Sequence, residues 1–112
     1  MSAEPSKPAI QVPEHCKTMA EVRAGVDDVD SALVALLARR FGYMDAAARV
    51  KQTRDAVRDE ARKAQVIANV RAEAIARGLP EQLLAQIWND LVEGSIAYEL
   101  DRWENAHSAK QV

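Results

Sequence analysis

Residues 18–52 read TMAEVRAGVDDVDSALVALLARRFGYMDAAARVKQ, and the fold follows from how this stretch is patterned. It contains no proline. Its apolar residues Val22, Val26, Val29, Leu33 and Leu36 fall at intervals that alternate between four and three, and Leu37, Met44, Ala47 and Val50 continue the stripe. That spacing predicts one helix carrying one continuous apolar stripe. Thr18, with Glu21 three residues on, predicts a capping box at its start. At 1.5 Å per residue the helix is roughly 50 Å long. Gly25 and Gly42 each cost such a helix about 1 kcal/mol relative to Ala, so tertiary packing has to hold it.

On the N-terminal side, residues 1–17 hold Pro5, Pro8 and Pro13, three of the four prolines, and read as a flexible arm. On the C-terminal side the pattern lapses over 52–56, which predicts a loop. A second helix is expected over 59–77, with Val66, Ile67, Val70, Ala74 and Ile75 inward. Gly78 is its natural stop, and Pro80 suits the start of a third helix over 81–105. The third stripe is Leu83, Leu84, Ile87, Trp88, Leu91, Val92, Ile96, Leu100 and Trp103. A helical domain over 18–107 and a tail over 108–112 complete the expected organisation: all-α, one domain, three helices, no strand. Three helices, one far longer than the rest, cannot cover their own stripes alone, so pairing of two copies along the long helices is expected.

Bulk composition narrows the function. A net charge of -2 over 112 residues argues against a nucleic-acid partner. No run approaches the ~20 apolar residues of a membrane span, and the start lacks a signal-peptide core, so a cytoplasmic protein without a membrane partner is expected. The single cysteine, Cys16, has no internal disulfide partner. His15 and Cys16 lack further soft ligands, so neither a metal nor another cofactor is expected.

Several charges interrupt the apolar pattern. Arg40 occupies a place the stripe would otherwise fill, and Lys51 lies eleven residues later. At about 100° per residue both point to nearly the same face, about 16 Å apart along the axis. Arg62 follows Asp59 at i+3, and Ser95 and Glu99 form an i, i+4 pair. Arg23, about 25 Å from Arg40 along the helix, can serve the same site as Lys51 only from an antiparallel partner. Each of these has a plainer reading as well. Arg and Lys snorkel along apolar surface, Asp59 suits a helix cap, and Ser95 suits a close helix contact.

The stations Val22-Arg23, Asp27-Asp28-Val29-Asp30, Leu36-Leu37-Ala38-Arg39-Arg40, Arg49-Val50-Lys51, Val57-Arg58-Asp59-Glu60-Ala61-Arg62 and Glu93-Gly94-Ser95-Ile96-Ala97-Tyr98-Glu99 resemble the AroQ-class (type II) chorismate mutases, across about residues 20–104. The resemblance implies a three-helix protomer in an intertwined homodimer, and a small-molecule substrate, chorismate, rearranged to prephenate. It implies that Arg23 from the neighbouring protomer and Arg40, supported by Arg62, bind the two carboxylates. It further implies that Lys51 donates to the ether oxygen, that Asp59 contacts the ring hydroxyl, and that Ser95 and Glu99 line the opposite wall. Such a pericyclic reaction asks for a held conformation and for donors at the oxygen that gains charge.

Two positions depart from the family pattern. Glu99 stands where Gln is common, and it donates only when protonated, so activity should fall as pH rises. Lys63 stands where Glu is common, and Lys accepts no hydrogen bond from a ring hydroxyl. Pro13-Glu14-His15-Cys16, Arg39-Arg40 with Tyr43, and Ala46-Ala47-Ala48-Arg49 are also similar to the isochorismate-pyruvate lyases, which split the enolpyruvyl arm off as pyruvate and leave salicylate. Those lyases often lack the acid at the position of Asp59. A non-catalytic helical dimerisation module is the third alternative; it scatters Arg23, Arg40, Lys51 and Arg62 over solvent.

Overall fold

The computed structural model describes residues 9–108. The first eight residues of the expected arm and the last four of the expected tail lie outside the described residues. Three helices follow in order: α1, Met19–Val50; α2, Glu60–Ala76; and α3, Glu81–Ser108. Short 3-10 turns occur at Pro13–His15 and Arg54–Ala56. Among the described residues there is no strand, and no helix is long and apolar enough to cross a membrane.

The chain divides into two compact units, which meet in sequence between Arg40 and Phe41. In the first, the capping box at the start of α1 is reciprocal. The Glu21 backbone N–H donates to Thr18 Oγ1 at 3.1 Å, and the Thr18 N–H donates to Glu21 Oε1 at 3.1 Å. The Lys17 N–H donates to the same carboxylate at 3.0 Å. Residues before the helix run back along it. A methyl group on Gly25 would lie 3.9 Å from the Gln11 carbonyl oxygen, and a groove of about 350 Å³ is lined by Ile10, Pro13 and Cys16 on one side and Val22 and Val26 on the other. The stripe residues Val26, Val29, Leu33 and Leu36 are each at least half exposed.

In the second unit α2 and α3 pack antiparallel. Lys63 meets Glu93 and Arg71 meets Glu81, so residue numbers rise on one helix as they fall on the other. The reversal is a Schellman turn. Gly78 adopts φ 68, its N–H reaches the Ile75 carbonyl at 3.1 Å, and the Leu79 N–H reaches Ala74 at 2.8 Å. Only a residue without Cβ takes that φ cheaply. Val57, Val92 and Ile96 form the core, with Val66, Leu100 and Trp103 packed against it.

The boundaries differ from the sequence expectation in instructive places. α1 stops at Val50 rather than at 52, and Asp59 is the cap of α2 rather than its first residue. The stretch after Lys51 contains a 3-10 turn. α3 runs three residues past 105. Its last turn is held by the ring of His107, stacked on Trp103 with centroids 4.1 Å apart, a contact to which apolar periodicity is blind.

Candidate active site

The second unit gathers its functional groups where the end of α1, the start of α2 and the middle of α3 come together. Lys51 is the first residue past α1, and its N–H still donates to Ala47 at 2.9 Å. Its side chain turns inward. The ammonium donates to Glu99 Oε2 at 2.7 Å and to the Val57 carbonyl at 3.3 Å. Glu99 is only 4% exposed, while the Lys51 side chain remains 28% accessible. A buried carboxylate is tolerated because its counter-charge touches it, and the open side of Lys51 gives a ligand access to the cation.

Trp103, four residues after Glu99 on α3, donates its indole N–H to the Lys51 carbonyl at 3.0 Å. Close by, Tyr98 donates to Asp45 Oδ1 at 2.9 Å, stands edge-on to Phe41, and is covered by the Arg102 guanidinium. These contacts tie the last three turns of α1 to α3.

Asp59 follows its plainer reading in this structure: its carboxylate accepts from the Arg62 N–H at 2.9 Å and caps α2. Arg62 itself donates to Gln65 at 2.7 Å and lies exposed. Ser95 is buried, one turn before Glu99 on the same face, and its hydroxyl donates to the Leu91 carbonyl at 2.6 Å. Arg23, exposed, and Arg40, half-buried, belong to the first unit. Of the expected set, then, Lys51 and Glu99 are in direct contact, and Asp59 and Arg62 are joined through the cap.

Lys63 has a partner that the sequence reading did not single out. Its ammonium donates to Glu93 Oε2 at 2.7 Å, and Arg58 grips the same carboxylate with both guanidinium nitrogens, at 3.1 and 2.8 Å. These hydrogen bonds, that of Arg58 first, hold the Glu93 carboxyl down at about 2. Reciprocally, Glu93 and then Glu60 hold Arg58 further above its already high range. The one available signal was charge: Glu93 faces two cations near the start of α2. Trp103 and Tyr98 gave no such signal, because the sequence marks their rings as apolar but does not say where their N–H and O–H groups point.

A family model described as chorismate mutase type II matches residues 22–100. The chain belongs to that family. Isochorismate pyruvate lyase of Pseudomonas aeruginosa is 26% identical to it over 100 residues, covering 89% of this chain and 99% of the relative. As a member of the chorismate mutase type II family with such a relative, the chain is an enzyme of the AroQ class, the class that also takes in the lyases. Its all-α, three-helix chain has the fold of that family. The Lys51–Glu99 pair and the Asp59 cap both fall within the matched residues.

Proposed function

We propose that this enzyme rearranges chorismate to prephenate, holding the dianion with Arg23, Arg40 and Arg62 and stabilising the breaking C–O bond with Lys51. The observation that carries the reading is the inward-turned Lys51 ammonium, half-buried between Glu99 Oε2 at 2.7 Å and the Val57 carbonyl at 3.3 Å. An ammonium has three N–H groups, and the one not directed at these acceptors is available to the ether oxygen. A donor fixed beforehand in a partly dehydrated place stabilises developing charge without reorganising. Arg23 comes from a second copy, whose long helix covers the exposed stripe of the first.

Glu99 contributes as a donor only when it carries a proton; ionised, it repels the developing oxyanion. Glu99→Gln, a donor whatever its surroundings, is therefore expected to sustain turnover, and a large loss of kcat in that variant removes the donor role from this position. Lys51→Ala lowers kcat by at least ~10²-fold while circular dichroism stays helical. Under the dimerisation-module reading there is no turnover to lose, and the substitution costs only the stability that the Lys51–Glu99 pair contributes.

The second reading, isochorismate cleaved to salicylate and pyruvate, is favoured by the Pseudomonas aeruginosa relative, named isochorismate pyruvate lyase and matched over 99% of its length. It is helped by Asp59, whose carboxylate is engaged in the α2 cap. Both reactions break the same C–O bond and ask the same of Lys51. Separate incubations discriminate: prephenate from chorismate supports the mutase, and salicylate with pyruvate from isochorismate supports the lyase.

A further inference from the structure

The carbonyl of Lys51 lies past the last turn of α1, where the helix itself supplies no N–H. The Trp103 indole fills that gap from α3, at 3.0 Å and 52 residues away in sequence. Trp103 is itself firmly placed. It packs against the core of Val57, Val92 and Ile96, its ring stacks on His107 at an interplanar angle of 17°, and His107 Nδ1 lies 2.9 Å from the Trp103 carbonyl oxygen. Glu99, one turn earlier on the same helical face, holds the far end of the same lysine at 2.7 Å.

We infer that Trp103 is a positioning residue for Lys51: its indole N–H fixes the peptide plane at the root of the lysine, so that the ammonium is delivered to Glu99 and to the substrate oxygen beside it. The inference rests on the enzymatic reading of Lys51. A lysine carries a flexible four-carbon stem, so its tip is well placed only when its root is. Misplacing a reacting group by 1 Å costs on the order of a hundredfold in rate. Trp103 lies just past residue 100, where the family-model match ends.

Trp103→Phe keeps an aromatic ring, removes the donor and shortens the side chain, so melting temperature is followed beside the kinetics. We expect kcat to fall about tenfold, equivalent to ~1.4 kcal/mol, with KM held within about twofold because the carboxylate-binding arginines are untouched. The Lys51 ammonium resonance, observable by nitrogen-15 NMR when an ion pair slows its exchange, is expected to broaden or vanish in the variant. Glu104→Gln, which breaks only the exposed 2.9 Å pair with Arg54, should leave rate and resonance as they are.

An unchanged kcat in Trp103→Phe overturns the inference. So does a parallel loss of kcat, KM and melting temperature, which would make Trp103 structural only. If the wild type converts neither chorismate nor isochorismate, the proposed function fails separately, and the resonance decides: its loss in Trp103→Phe upholds the placement of Lys51, and its persistence refutes it.

Discussion

At the scale of single residues, the chain treats two of its inter-helix acids differently. Glu99 is buried against one lysine, whereas Glu93 stays 39% accessible and is shared by Arg58 and Lys63. Because Glu93 is held at about 2, below its ordinary 4.5, its contribution to stability is complete above pH 4.5. It is lost as pH falls toward 2, where the folded protein must also take up the proton. Melting temperatures taken from pH 5 to pH 2 should drop less steeply for Glu93→Gln than for the wild type; parallel curves would refute the assignment. Added salt should shrink the difference, since the group is only partly shielded from solvent.

Much of this residue-level chemistry could be read in the sequence, but unevenly. Lys51 and Glu99 stand out because each puts a charge in an apolar register. That they touch could not be read, because they lie 48 positions apart, across the loop after Lys51 and the reversal at Gly78. Trp103 was legible as a stripe position only, since periodicity reports which face a side chain lies on and not what its single N–H reaches. Lys63 looked like a substitution that loses an acceptor, and its reason emerges only once Glu93 is seen opposite.

At the scale of elements, helix ends explain most of what the sequence predicted well. The Thr18–Glu21 box and the Gly78 stop are local, so a few residues suffice to specify them. The end of α3 is not local, and the expectation stopped short of it. Two substitutions test the ends of α2. Asp59→Ala removes the side-chain cap on the Arg62 N–H and should cost about 1 kcal/mol in urea unfolding. Gly78→Ala forces a Cβ into φ 68. Nothing lies within 4 Å of that Cβ, so its cost, about 1 kcal/mol, is purely conformational. If Asp59→Ala also abolishes turnover while the fold survives, the carboxylate has a duty toward substrate beyond its cap.

At the scale of the whole molecule, the exposed stripe of α1 is the largest unmet demand. Val26, Val29, Leu33 and Leu36 are 50–57% exposed, a contiguous apolar face of a kind that soluble chains rarely leave to water. In the proposed dimer the second copy that covers it would also bring in Arg23, and subunit exchange tests both ideas together. Arg23→Ala and Lys51→Ala proteins, each inactive, are mixed and allowed to exchange protomers. If Arg23 acts across the two-fold, half the dimers are mixed and one of their two sites is intact, restoring about a quarter of wild-type activity. If Arg23 acts within its own chain, nothing is restored.

α3 grasps Lys51 twice, by the ammonium through Glu99 and by the backbone through Trp103. The two grips are four residues apart, so they share an azimuth only while the count between them is kept. Inserting or deleting one residue there swings the second grip by about 100° and lets go of the lysine at one end. Point substitutions at Leu100, Asp101 and Arg102 alter packing or surface charge, but a change of length dismantles the phase. Divergence in this segment is therefore expected to proceed by replacement and to avoid gaps.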